Sequence, residues 1–167
     1  DLAARVQQAV ADGGFWYGYH ADLDMLGHLY GAGSTAWRMQ LRQVDRLVES
    51  IVEALPAGGL LAVVADHGMV NLSEAEVVDI DARPELLDGV VAVAGEARAR
   101  HVYVADGAAD AVADGWRETL GAKAWVRTRE QAIAEGWFGA RVSDAARSGI
   151  GDVVAAAWDN AGLVRRT

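Results

Sequence analysis

The chain has 167 residues, enough for one domain with a real core, and its 52% hydrophobic and 23% charged content excludes a disordered chain. Fifteen Lys and Arg against 24 Asp and Glu give a net charge of −9, a poor electrostatic surface for DNA or RNA. There is no cysteine, which excludes disulfides and thiolate metal sites.

No apolar run has the length of a membrane span, and the N-terminus lacks the basic-then-apolar order of a signal peptide. A cytoplasmic location is the expectation, although an exported protein can also lack cysteine. An acidic body that handles phosphate needs a local source of positive charge, and bound metal cations are the usual one. The chain opens at Asp1 inside a helical pattern and closes at Thr167 just after strand-like Gly162-Leu163-Val164-Arg165. Both ends read as cut from a longer sequence.

Residues 2–12 read as an amphipathic helix stopped by Gly13-Gly14. Phe15-Trp16-Tyr17-Gly18-Tyr19 favours a strand, and Asp22 to His28 reads as a polar-rich loop. Ser34 caps the longest helix, about 34–55, in which Trp37, Leu41, Val44, Val48, Ile51 and Leu55 recur at spacings of three and four. Leu60-Leu61-Ala62-Val63-Val64-Ala65 is continuously apolar, the pattern of a strand buried on both faces in a parallel sheet. It ends in Asp66-His67-Gly68-Met69, and chemistry in open α/β sheets collects at such strand ends.

Farther on, Val77–Ile80, Gly89–Val93, Arg100–Val104 and Ala124–Val126 read as strands, with helices at about 108–120 and 128–135. This order suggests a small α+β insertion at 72–148, after which Val153–Trp158 resumes the main sheet. The fold class is therefore α/β, a mainly parallel sheet sandwiched by helices.

Asp24 and His28 stand in a D-x-x-x-H spacing, and Asp66 and His67 are adjacent. Imidazole plus carboxylate suits zinc and, with more oxygen ligands, manganese. If the two preceding strands share a sheet, both pairs converge, and two cations about 3.5–4 Å apart can clamp a phosphoryl group. Each pair also has a plainer reading: the first spacing arises by chance, and Asp66-His67 suits a cap or turn.

Tyr19-x-x-x-x-Asp24-x-x-Gly27-His28-x-Tyr30-Gly31, a helix, and then Ala65-Asp66-His67-Gly68-Met69 resembles the core signature of nucleotide pyrophosphatases and phosphodiesterases of the alkaline phosphatase superfamily. The resemblance implies that 1–167 is part of an alkaline phosphatase-like catalytic domain that hydrolyses phosphodiester or pyrophosphate bonds. It implies two divalent ions, typically zinc, one held by Asp24 and His28 and the other by Asp66 and His67. Tyr19 falls where the family places an aromatic against the substrate, an ordinary core tyrosine being the alternative. The implied partner is a small phosphate ester, with nucleotides among the candidates.

The departures are as informative. The family's Thr or Ser nucleophile lies upstream of anything present, and no Thr or Ser precedes Ser34. Ser34 and Thr35 read as helix caps. The family also uses a further histidine followed by glycine, and neither His20 nor His101 is so followed. The longer protein is thus expected to be an enzyme and this chain alone inactive. Alternatives are a phosphomonoesterase, sulfatase-like or phosphomutase member of the superfamily, or a non-catalytic metal-binding module. Arg98, Arg100 and His101 form either a phosphate patch or a solvated strand edge. Trp137-Phe138-Gly139 forms either a stacking lid or a hydrophobic plug.

Overall fold

A computed structural model describes residues 2–11 and 13–166. They form two units, Asp1–Asn71 and Leu72–Thr167.

The first unit holds three helices, α1 (Leu2–Ala11), α2 (Asp22–Tyr30) and α3 (Thr35–Ala54), joined by segments outside every described helix and strand. Ser34 caps α3 as expected, its Oγ accepting from the Trp37 N–H at 3.2 Å. The segment read as a loop at 22–28 is instead helical. Asp22 and Asp24 lie in its first turn, where carboxylates favour the helix dipole, and Leu23, Leu26, Gly27 and Tyr30 recur at helical spacing. Gly31 ends it at φ +85°, a conformation that favours glycine, and its N–H returns to the Gly27 carbonyl at 2.9 Å.

Two expected strands of this unit are not among the described strands. Leu60–Ala65 belongs to none of the described strands, with Leu60 91% and Val64 82% exposed. Phe15–Tyr19 is likewise outside every sheet, and Phe15 is 91% exposed. A strand is defined by its neighbours' hydrogen bonds as much as by its own residues, and here no described strand lies alongside.

The second unit is a compact α+β body. Its four-stranded antiparallel sheet contains β2 (Val90–Glu96), β3 (Ala99–Val104), β4 (Ala124–Thr128) and β5 (Val153–Ala157), in the order β2-β3-β5-β4. A separate parallel pair joins β1 (Val77–Asp79) to β6 (Gly162–Val164). Val153–Trp158, read in the sequence as a return to a main parallel sheet, supplies β5 and pairs antiparallel with β3 and β4.

Helix α4 (Ala109–Leu120) lays Val112, Ala113, Trp116 and Leu120 into a core with Val102, Val126, Val153 and Ala155. The fully buried Trp116 satisfies its indole N–H on the Leu86 carbonyl at 3.0 Å. Helix α5 (Arg129–Ala134) opens with a capping box between Thr128 and Gln131, and its Ala132 packs with Val154 and Ile150. Short α6 (Asp144–Gly149) is capped by Ser143 and leads into β5. β5 is therefore covered on both faces, which is why its sequence shows no alternation. Among the described residues no helix is long and apolar enough to cross a membrane.

Candidate metal centre

The expected ligands lie in the first unit, on α2 and on the segment after Leu60–Ala65. One helical turn sets Asp24 and His28 on the same face of α2, with Asp24 Oδ1 3.3 Å from His28 Nε2. His67 arrives from that segment and places its Nε2 3.8 Å from the same Asp24 oxygen. The His28 and His67 rings meet edge to face at 6.3 Å between centroids. One ligand atom from each of Asp24, His28 and His67 falls within a 4.8 Å group, and all three residues are exposed.

The Asp24–His28 spacing fits one divalent ion. Two ligands about 2.0–2.1 Å from a tetrahedral zinc ion lie ~3.3 Å apart, so the Asp24–His28 pair already has that separation. Imidazole with carboxylate is a donor set that suits zinc, and His67 stands within reach of a second ion beside the first. His67 Nδ1 lies 2.8 Å from the Gly68 carbonyl, which can only accept, so Nε2 is the ring nitrogen turned toward Asp24 and Asp66.

Asp66 stands outside that group of three. It is 92% exposed on its side chain, and its Oδ2 lies 3.9 Å from His67 Nε2. His67 thus has a carboxylate on either side, Asp24 at 3.8 Å and Asp66 at 3.9 Å. Tyr19 is 70% exposed on the chain ahead of α2. His20 sits near Asp22, with Nε2 3.8 Å from Oδ2.

What brings the two ligand segments together was largely invisible in the sequence. Gly27 lies mid-helix, where glycine costs about 1 kcal/mol relative to alanine. Its missing side chain is occupied from outside: a Cβ at Gly27 would lie 2.2 Å from Met69 Sδ. Met69 therefore seats the segment carrying His67 against the turn of α2 that carries His28. The signal for this was the pairing of the two motifs, in which Gly27 precedes one histidine and Met69 follows the other. Trp37 of α3 packs on the same spot, and its Nε1 is buried with no hydrogen-bond partner among the described residues.

A family model for type I phosphodiesterase / nucleotide pyrophosphatase matches residues 2–165. The chain belongs to this family. Solved structures of the phosphodiesterase family share its α/β fold. Murine ectonucleotide pyrophosphatase/phosphodiesterase 5 matches 99% of this chain with a TM-score of 0.70 at 19% identity. The human protein of the same name matches 86% with a TM-score of 0.63 at 19% identity. An inactive murine variant in complex with AMP matches 84% with a TM-score of 0.62 at 20% identity. The chain spans 44% of the first of these structures and 37% of each of the others. No curated protein sequence matches it.

In the second unit, two residue groups that the sequence left open between binding and structure are committed to structure. Arg98 donates to the Ala161 carbonyl, and Arg100 donates to the carbonyls of Leu163 at 2.8 Å and Gly95 at 2.7 Å. Trp137 and Phe138 pack against Ala132, Ile150 and Val154 as a plug. His101 Nδ1 accepts the Gly151 N–H at 3.1 Å, and burial holds its pKa below the ordinary histidine value. Two open grooves of about 260 and 370 Å³ meet at Trp158 and contain none of the candidate ligands.

Proposed function

We propose that this chain carries part of the bimetal site of a hydrolase that cleaves phosphodiester or pyrophosphate bonds in small, nucleotide-like substrates. One observation carries the reading: in a member of the phosphodiesterase family, Asp24, His28 and His67 bring ligand atoms within 4.8 Å of one another. The ions are two divalent cations, zinc first and manganese as the alternative. Asp24 and His28 serve one, and His67 with Asp66 serves the other. The AMP complex of the murine relative supports a nucleotide as the substrate class.

Bound divalent ions in such a site offset charge on the phosphoryl oxygens and lower the pKa of an attacking hydroxyl. The chain's own residues prepare that chemistry. The Asp24 carboxylate faces both imidazoles and balances part of the cationic charge. The Gly68 carbonyl, an acceptor beside Nδ1, leaves His67 Nε2 turned toward the carboxylates. Tyr19, exposed and close in sequence to the ligands, offers an aromatic face to a base.

The nucleophile comes from elsewhere in a longer protein. The first Ser or Thr here, Ser34, spends its Oγ on capping α3. This chain alone is accordingly inactive.

The test uses the full-length protein. Elemental analysis should find about two zinc or manganese ions per chain. Asp66→Ala and His67→Ala should each lower metal content toward about one ion per chain and lower turnover of a bis-aryl phosphate by at least about tenfold. Intact metal content and activity in both variants would refute the ligand assignment. Faster turnover of a mono-aryl phosphate than of the diester would shift the reaction to a phosphomonoesterase.

A further inference from the structure

Residues 67–71 lie outside every described helix and strand, and three alternate residues of this segment, His67, Met69 and Asn71, meet α2 or the turn that follows it. His67 reaches Asp24, and Met69 fills the space beside Gly27. Asn71 closes the series with two hydrogen bonds to one residue. Its Oδ1 accepts the Ala32 N–H at 2.9 Å, and its Nδ2 donates to the Ala32 carbonyl at 2.9 Å.

The turn is built for this approach. A Cβ on Gly31 would lie 3.0 Å from Asn71 Oδ1, and Gly31 already holds φ +85°. Asparagine also suits the position chemically, because a single amide presents one acceptor and two donors on adjacent atoms. Aspartate would keep the acceptor and lose the donor. Leucine has a similar shape and offers neither. Both bonds are exposed to water, so their contribution is register more than strength: they permit only one alignment of the 67–71 segment along α2.

We propose that Asn71 is a positioning residue for the ligand group, fixing through Ala32 the separation between His67 and the Asp24–His28 pair. The inference rests on the metal-site reading above. It adds a residue that touches no ligand atom but sets where one ligand stands. Met69 supplies contact without direction, since a flexible thioether can slide. Asn71 supplies the direction, since two antiparallel hydrogen bonds cannot slide without both breaking.

The experiment compares Asn71→Leu, Asn71→Asp and His67→Ala in the full-length protein. Zinc affinity is read by competition with a chromophoric chelator. The metal-free proteins are also tested for the NOE between the His28 and His67 ring protons. Asn71→Leu should weaken zinc binding about 10- to 100-fold, as loss of an outer partner of a metal ligand does, and should lose the NOE. Asn71→Asp, keeping one bond of two, should fall between Asn71→Leu and the parent in both measurements. It also serves as the test variant should the leucine protein fail to fold.

A merely structural clamp would lower the melting temperature while leaving zinc affinity and the NOE of the folded protein unchanged. That result would overturn the proposal. If affinity persists in the Asn71 variants but collapses in His67→Ala, the positioning role falls and the ligand assignment stands. If affinity persists in His67→Ala as well, both fall.

Discussion

Leu60–Ala65 and Val153–Ala157 are the same kind of sequence, short runs of valine, alanine and leucine with no polar break. Their surroundings are opposite. Val153–Ala157 is the interior strand β5, between β3 and β4, with Val153 and Ala155 facing one core and Val154 facing the other. Leu60–Ala65 lies outside every described strand and is largely exposed. An apolar run thus states that a segment tolerates burial on both faces. Whether it is buried depends on neighbours that lie elsewhere in the chain. The contrast extends to whole units. The second has a packed core around Trp116, whereas among the described residues of the first only Ala9, Gly27, Gln40 and Ile51 are buried. The unit with the candidate ligands is the one with few buried residues.

The same substitution placed in each run gives the sharpest test. Val154→Asp would bury an unpaired carboxylate among Ala132, Ile150 and Trp137, at an expected cost of at least about 3–5 kcal/mol, enough to unfold the second unit. Val64→Asp, with Val64 82% exposed, should change the stability of this chain by no more than about 0.5 kcal/mol. Urea titrations of the two variants beside the parent chain measure both. A Val64→Asp loss as large as that of Val154→Asp would mean that the 60–65 run is covered in solution, and the contrast would collapse.

The comparison also explains which readings of the sequence succeed. In the second unit, strands at 77–80, 89–93, 100–104 and 124–126 and helices at 108–120 and 128–135 all appear close to their expected bounds. Some have partners nearby in the chain, since β2 and β3 form a hairpin and α4 packs on the sheet it connects, whereas β1 pairs with the distant β6 and shows that a short strand can be legible without a local partner. In the first unit α1 and α3 were legible from periodicity, but Phe15–Tyr19 and Leu60–Ala65 have the composition of strands without the pairing. Helix α2 was masked by Gly27 and by its aspartates, which read as turn chemistry until Met69 is seen in the space that a side chain would fill. The nearness of Asp24, His28 and His67 follows from motifs that carry their own spacing, while Asp66 stands outside that group. The hydrogen bonds of Asn71 to Ala32 span 39 residues and leave no local pattern.

The Gly27 contact gives a prediction of intermediate size. Gly27→Ala should remove the helix penalty of glycine yet displace Met69, whose Sδ would lie 2.2 Å from the new Cβ. The net cost should be about 1–2 kcal/mol, confined to the first unit, and should be accompanied by weaker zinc binding. Adding Met69→Ala should make the glycine substitution neutral or stabilising, so a double-mutant cycle should show coupling of about 1 kcal/mol or more. Additive losses would mean that the two residues do not share that space, and that something else seats the His67 segment on α2.

The smallest expected effect belongs to His101, and it separates the units by pH. His101 is the only histidine of the second unit, and its Nδ1 accepts the Gly151 N–H, a bond that the protonated ring cannot accept. Burial lowers its pKa from the ordinary 6.5, so between the folded and unfolded values the unfolded chain binds more protons. Stability of the second unit therefore rises with pH across that window. The contribution is fully present above the unfolded value of about 6.5 and is lost as the pH falls through it to the lowered folded value. Hydrogen exchange at the amides of β3 and β5 between pH 7.5 and 5.5, after correction for the intrinsic rate, should show protection declining in the parent chain. In His101→Gln, whose amide oxygen can take the same N–H without titrating, the decline should flatten. An unchanged slope would assign the pH response to the carboxylates and leave His101 a purely steric neighbour of Phe138.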